Sequence, residues 1–420
     1  MSNFRVLSED PLNAEPSLED LSERFHTPVA RIFHRNHGAI PSKDYDSYSL
    51  AVTSDVPGIN LDETLAYRDL AAFDKVKVEL VLACAGNRRI EMHEGKPVEG
   101  LLWSGSAIAN SQFSGPLLRR VLETFGVTLE GLQAHQSLAD LHIHFETSQQ
   151  CEDASFYGSS LPLEMALDME RPVMLATHMG GEPLDEKHGK PCRLVVPGII
   201  GARSVKWLER IIIRDKPSDN FYMSRDYKIL PPEATPDTKE EYLRKIEPMM
   251  ELPLNSEICH PSDGSTVSTH KGARTIEVRG YALGAKGVPI ESVKVCALPL
   301  TLPREEKDAG SEPAYSELHR IRLSASQLSL ERWTSAELLN TPKRGERQIE
   351  SKQWSWTLFS AEVNIPDDCV RESEAEFKIA LVAYATDVNG EKQELQTPYN
   401  LRGVAEASWS VARITVRTTE

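Results

Sequence analysis

"VLACAGNRR", residues 81–89, carries an apolar run straight into a single cysteine, Cys84, and follows it with two small residues, an asparagine and two adjacent arginines. Upstream, Val76, Val78, Leu80 and Leu82 alternate with Lys77, Glu79 and Val81, which predicts a half-buried strand ending at the cysteine. Guanidinium groups beside a thiol favour its thiolate, and a thiolate is a nucleophile or a soft-metal ligand. Neighbouring side chains on an extended chain point to opposite sides. One arginine is therefore expected to face a site, and the other a cofactor or a structural carboxylate such as Glu91. A buried cysteine with two surface arginines is the plainer alternative from this stretch alone.

Working outward, the whole chain has 420 residues, room for two or three domains. Its formal net charge of -16 argues against nucleic acid as the main partner, since phosphate binding needs a basic face. A small anion in a locally basic pocket stays open. No apolar run approaches the roughly 18 residues of a membrane span, so no membrane partner is expected. The first 25 residues hold six acidic and two basic side chains, unlike a signal or transit peptide, and the C-terminal Thr-Thr-Glu is not a peroxisomal tripeptide. A cytoplasmic location is the default expectation; neither mitochondrion nor peroxisome is supported. The six cysteines form no CxxC pair, which excludes the usual zinc-ribbon spacing, and Cys151, Cys192, Cys259, Cys296 and Cys369 read as small core hydrophobes.

The organisation reads as an acidic, extended N-terminal extension over 1–26, a mixed domain over 27–237, a connecting segment over 238–260 and an all-β domain over 261–420. "SGPLLRRVLETFG" predicts a helix capped near Ser114, with Leu118, Leu122 and Phe125 on its core face. "LPLEMALD" predicts another short helix, and "CRLVVPGIIG" a buried strand broken at Pro197 and Gly198. After the connecting segment, "RTIEVRGYAL", "IESVKVCAL", "WSWTLFSAEV", "FKIALVAYATDVNG" and "ASWSVARITV" are strand-like runs with an Asn389-Gly390 turn, the pattern of an immunoglobulin-like sandwich. Residues 301–330 read as an insertion. GxGxxG, P-loop and HExxH motifs are absent. His142 and His144 alternate at strand spacing, and without a third ligand nearby they read as ordinary strand residues rather than a metal pair.

Taken together, "FHRNHGAIP", "ACAGNRRIEM", "HGKPCRLVVPGIIGARSVKWL", "SRDYK" and "YNLRGV" resemble, in order, the sulfite oxidase family of molybdenum enzymes. The resemblance implies an α+β molybdopterin-binding domain followed by an immunoglobulin-like dimerisation domain, and hence a homodimer. It implies that Cys84 binds molybdenum beside the dithiolene of a molybdopterin, and that Arg35, Arg89, Trp103, Tyr227 and Arg402 form the sulfite pocket. His37 with Arg35, His188, Arg193, Arg203, Ser204 and Lys206 are implied to hold the pterin and its phosphate, with Gly198 and Gly201 allowing close backbone approach. The implied reaction is oxygen-atom transfer, sulfite to sulfate, with electrons passed to an external acceptor such as oxygen or a cytochrome c. No haem is expected, because 26 residues are too few for a cytochrome-type domain ahead of the first motif. Three departures stand out: His34 replaces an apolar residue, the 301–330 insertion is unfamiliar, and the usual acidic pterin contact falls on Gln149 or, with a shift, Asp153. The alternatives are the molybdenum domain of a nitrate reductase, in which the resemblance puts a methionine at Arg402, and a non-catalytic cofactor-binding protein.

Overall fold

A computed structural model describes residues 4–133, 140–270, 274–300, 316–340, 352–369 and 376–419. The chain divides into two compact units. One comprises Met1–Glu15, His26–Ala85 and Ala107–Leu252; the other Pro16–Phe25, Gly86–Ser106 and Pro253–Glu420. The second unit thus takes in the segment that follows the cysteine, where the sequence reading drew one contiguous block over 27–237.

In the first unit a five-stranded sheet runs in the order Asp62–Ala66, Ser49–Ser54, Arg210–Arg214, His142–Thr147, Tyr157–Pro162. A four-stranded sheet runs Glu182–Pro183, His178–Met179, Ile108–Gly115, Val76–Ala83, and Arg193–Val195 pairs with Met174–Ala176. The strand before the cysteine does not keep its predicted alternation. Val76 is exposed, while Leu80, Val81, Leu82 and Ala83 are all buried. Its last four residues are covered on both faces, so both sets of side chains must be small or apolar there. The Cys84 N–H then continues the ladder to Ala107 O at 2.9 Å. The helix predicted from Ser114 begins later, at Leu118, because Ser114 is paired within the strand Ile108–Gly115. Leu118 and Leu122 are its buried residues as expected, whereas Phe125 is only half-buried. The helix Leu163–Leu167 falls inside "LPLEMALD". The N-terminal residues are not merely extended: Phe4–Ser8 pairs with Asn13–Pro16 as a two-stranded sheet.

The second unit is a sandwich. One sheet has the order Asn255–His260, Thr275–Leu283, Thr357–Asn364, Glu337–Leu339; the other Thr266–His270, Ser410–Thr419, Glu376–Asp387, Ile290–Pro299, Thr334–Ser335. Ile258, Val278, Val295, Phe359, Ile379, Leu381 and Ile414 belong to its apolar core. The strand Asn255–His260 lies inside the segment read as a connector. Of the expected insertion, 301–315 lies outside the described residues. The helix Glu317–Ser326 follows, and it packs Leu318, Ile321 and Ala325 against Cys296, Leu298, Ala380 and Val382 of the sandwich. No helix among the described residues is long and apolar enough to cross a membrane.

Buried charges join distant parts of this second unit. Arg88, fully buried, donates to Glu91 Oε1 and Oε2 at 2.6 and 3.0 Å, to Asn255 Oδ1 at 2.6 Å and to Ser256 O at 3.1 Å. Its Nε also lies 2.8 Å from Glu257 Oε2. Arg322, from the helix Glu317–Ser326, reaches the same Glu91 at 2.5 Å and donates to Trp409 O and Gln396 Oε1. Burial pushes the Glu257 carboxyl up to about 8, with Glu91 adding to the shift and Arg88 opposing it. Between its ordinary 4.5 and about 8 the folded protein therefore holds a proton that the unfolded chain has lost. The stability this contributes is complete below 4.5 and is lost as pH rises through about 8. Urea titrations of the wild type across that window are expected to show falling stability, and Glu257→Gln to flatten the fall. An undiminished slope in the Gln variant assigns the pH dependence to other groups.

Candidate active site

In the first unit one cavity gathers residues from far along the chain. Cys84 reaches it from the end of its strand. Arg35, Asn36 and His37 come from one loop, Gln149 lies just past the strand His142–Thr147, and Tyr157 starts the strand that pairs with it. His188, Arg193, Ser204, Lys206 and Trp207 come from the stretch after Asp185, and Tyr227 from the "SRDYK" loop. Eight of the twelve residues singled out in the sequence thus share one wall system: Cys84, Arg35, His37, His188, Arg193, Ser204, Lys206 and Tyr227. Gly201 is needed where this stretch crosses the cysteine strand: a Cβ there would lie 3.0 Å from Ala83 O.

The lining contains Arg35, Arg193 and Lys206 but no aspartate or glutamate. Burial together with mutual repulsion strains these charges. Lys206 is held well below the usual lysine range by burial, then by Arg193 and Arg35, and burial brings Arg193 down to about 10. An anion entering the cavity relieves this strain, so the site is built to bind one. Arg35 differs: burial disfavours its charge, but Tyr227 and Cys84 favour it, and its pKa is raised.

Hydrogen bonds define each role more sharply than the motifs did. Arg35 donates to His37 Nδ1 at 3.1 Å. An arginine only donates, so Nδ1 carries no proton and the ring donates through Nε2 to Tyr227 Oη at 2.7 Å. Lys206 spends its ammonium on Arg35 O, Asn36 Oδ1 and Lys187 O. It supplies charge and order rather than a directed contact. Arg193 donates to His188 O and Ser204 O, both at 3.1 Å, while its buried Nε has no hydrogen-bond partner among the described residues. That donor suits an oxyanion. Arg203 is not part of the lining: its guanidinium holds Met249 O and Tyr222 O, tying loops together from behind. His188 is kept neutral, well below its ordinary pKa, by burial and its cationic neighbours. His34, the departure in "FHRNH", sits between Phe4 and His188 rings at 5.3 and 5.2 Å, and burial lowers it to about 4. It packs as a neutral ring where an apolar side chain would serve. Gln149 lines the cavity, with Nε2 donating to Gly38 O and Ala39 O at 3.1 Å, whereas Asp153 is exposed.

Arg89, Trp103 and Arg402 belong to the second unit. Arg88 is the left-handed residue, φ 64°, that opens the helix Arg89–Gly95, so the two arginines part at a turn rather than on an extended chain. Arg89 donates to Gly403 O at 3.1 Å and Leu101 O at 2.8 Å. Glycines enclose it: a Cβ on Gly86, Gly100 or Gly403 would come within 2.5, 2.7 and 2.7 Å of its side chain. Trp103 is fully buried, and Arg402 pairs with Glu99 at 3.5 Å.

Cys192, Cys259, Cys296 and Cys369 are buried as expected, whereas Cys151 is only half-buried; burial pushes the Cys192, Cys296 and Cys369 thiols up to about 12 and Cys151 to about 11. His144 donates from Nε2 to Lys216 O and accepts at Nδ1 from Arg214, which accounts for both ring nitrogens. No group of three or more histidine, cysteine, aspartate or glutamate residues placed to hold a metal occurs among the described residues.

Comparison with known proteins bears on the family of the chain as a whole. Residues 37–222 match the oxidoreductase molybdopterin binding domain, and residues 246–297 the Mo-co oxidoreductase dimerisation domain. Sulfite oxidase of Arabidopsis thaliana is 32% identical over 416 residues, covering 97% of this chain and 92% of that protein. Mitochondrial sulfite oxidase of Rattus norvegicus is also 32% identical, over 98% of this chain but 66% of its own length. An NADH nitrate reductase of Oryza sativa is 30% identical, with 41% of its length covered. The crystal structure of the sulfane dehydrogenase SoxCD from Paracoccus pantotrophus superposes with a TM-score of 0.69 at 21% identity, covering 97% of this chain and 87% of that one, which shows a shared fold.

Proposed function

The chain belongs to the sulfite oxidase family of molybdopterin-dependent oxidoreductases, and from that premise we propose that it oxidises sulfite to sulfate and works as a homodimer. The observation that carries this reading is the cavity itself: one cysteine thiol opening into a space lined by three cations and no carboxylate. The residues fit molybdenum–molybdopterin. Cys84 would supply a thiolate to the metal, and Arg193, His188, Ser204 and the charge of Lys206 would hold the pterin and its phosphate. When bound, that cofactor supplies oxygen-atom transfer and takes up the two electrons released as sulfite and water become sulfate and two protons.

The chain's own part is binding and orientation. Arg35 offers a guanidinium that stays charged at any working pH and suits an oxyanion. The His37 bond occupies a lone pair of Tyr227 Oη, so the hydroxyl proton points away from the ring, where it can donate to a sulfite oxygen. Roles in sulfite binding for Arg89, Trp103 and Arg402 rest on the family resemblance. The electrons pass to an external acceptor, oxygen or a cytochrome c, and peroxide formation under air separates the two.

The test is sulfite-dependent reduction of ferricyanide by purified, molybdenum-loaded protein, with nitrate reduction by a reduced viologen assayed on the same sample. Sulfate formation without nitrate turnover is expected; nitrate turnover without sulfite oxidation overturns the reading. Arg402→Met is expected to raise KM for sulfite about 10–100-fold, the worth of one charge-assisted hydrogen bond of about 1.5–3 kcal/mol. An unchanged KM and kcat remove Arg402 from substrate binding.

A further inference from the structure

The Arg35 guanidinium is held by a residue outside the cavity. Asn13, at the start of the strand Asn13–Pro16, is 1% exposed and is not part of the lining. Its Oδ1 accepts from the Asn36 backbone N–H at 3.0 Å and from Arg35 Nη1 at 3.1 Å, while its Nδ2 donates to Pro11 O at 2.9 Å. A backbone N–H can only donate, so the Asn36 contact fixes which end of the amide is oxygen. The return contact is equally tight: Asn36 Nδ2 donates to Leu12 O at 2.6 Å, and Asn36 Oδ1 accepts from Lys206. The N-terminal hairpin is thereby stitched to the loop that carries Arg35 and His37.

We propose that Asn13 is a positioning residue for oxyanion binding: its neutral carbonyl holds the Arg35 guanidinium in place without discharging it. This rests on the sulfite reading of the same cavity. The choice of residue is informative. An aspartate would accept the same two hydrogen bonds, and a charge-assisted bond to arginine is the stronger one, although the aspartate would lose the Nδ2 donation to Pro11 O. It would also set a negative charge about 3 Å from the cation and cancel much of the field that Arg35 offers an anion. Asparagine supplies the geometry alone. From Asn13 the ordering runs through Arg35 to His37 Nδ1 and on to Tyr227 Oη, two groups that line the cavity.

Asn13→Asp separates this role from a merely structural one. In molybdenum-loaded protein, sulfate is titrated by calorimetry and sulfite turnover is measured per bound molybdenum. The proposal expects the sulfate Kd and the sulfite KM to rise about tenfold or more, with a smaller change in kcat, while molybdenum content stays near wild type and thermal unfolding falls modestly through the lost bond to Pro11 O. Asn13→Ala, which frees the guanidinium without adding charge, is expected to weaken sulfate binding less than Asn13→Asp. Sulfate affinity and KM equal to wild type in Asn13→Asp would overturn the proposal, as would a loss of molybdenum at unchanged sulfate affinity. If the wild type binds sulfate but does not oxidise sulfite, the functional reading fails while the Asn13 comparison is still decided by sulfate binding.

Discussion

Replacing Cys84 by serine is expected to leave a folded protein that has lost sulfite turnover by about a thousandfold or more, roughly 4 kcal/mol in the barrier. The change is one atom, sulfur to oxygen, at the end of a strand whose last four residues are buried. It leaves the N–H bond to Ala107 O intact and adds no volume, so folding should be nearly unaffected. Function is another matter. A thiolate is a soft, easily ionised ligand, whereas a serine hydroxyl stays protonated at neutral pH and is a poor match for a metal that selects sulfur. Steady-state kinetics and far-UV circular dichroism on the same preparation check both halves. Near-normal turnover in Cys84→Ser would sink the ligand assignment, and with it the reason for placing a thiol in a cationic cavity.

Arg88→Met carries the largest expected loss of stability. Arg88 is fully buried and is the shared cation of Glu91 and Glu257. Removing it leaves Asn255 Oδ1 and Ser256 O without this donor, and leaves the Glu91 carboxylate and the Glu257 carboxyl, protonated up to about 8, without the cation between them. Breaking a buried ion pair from one side costs about 3–5 kcal/mol, a large share of the roughly 5–15 kcal/mol that separates folded from unfolded proteins. Arg322 still holds Glu91, so the loss should stay within that range rather than exceed it. Chemical denaturation followed by tryptophan fluorescence measures it. A change below about 1 kcal/mol would mean that the network behaves like a solvated one and that Arg88 could be lost without consequence.

The parts of this molecule that were legible in the sequence are those governed by local pattern. "RTIEVRGYAL", "IESVKVCAL" and "ASWSVARITV" alternate at the strand period, and the strands Thr275–Leu283, Ile290–Pro299 and Ser410–Thr419 lie on them. Where a strand is covered on both faces, as at Leu80–Ala83, alternation disappears and the pattern misleads. Eight of the residues the motifs pointed to line the cavity, but the motifs do not show their partners. Arg203 and Lys206 look alike beside "GARSVKW", yet one braces loops behind the site and the other stands in its wall with every ammonium donor engaged. Asn13 was missed because it sits in a stretch that reads as an acidic extension. Its partner lies 22 residues away, and nothing in a single sequence ties the two together. The Arg88 network is hidden for the same reason: its members come from near residues 90, 256 and 322.

The most direct test of the account is X-ray absorption at the molybdenum K-edge on the loaded wild type and Cys84→Ser. The variant is expected to retain molybdenum and to lose one sulfur from the metal's shell, with a light atom or nothing in its place. The same sulfur count in both proteins would contradict it, because the thiol at the end of the buried strand would then not be a ligand of the metal.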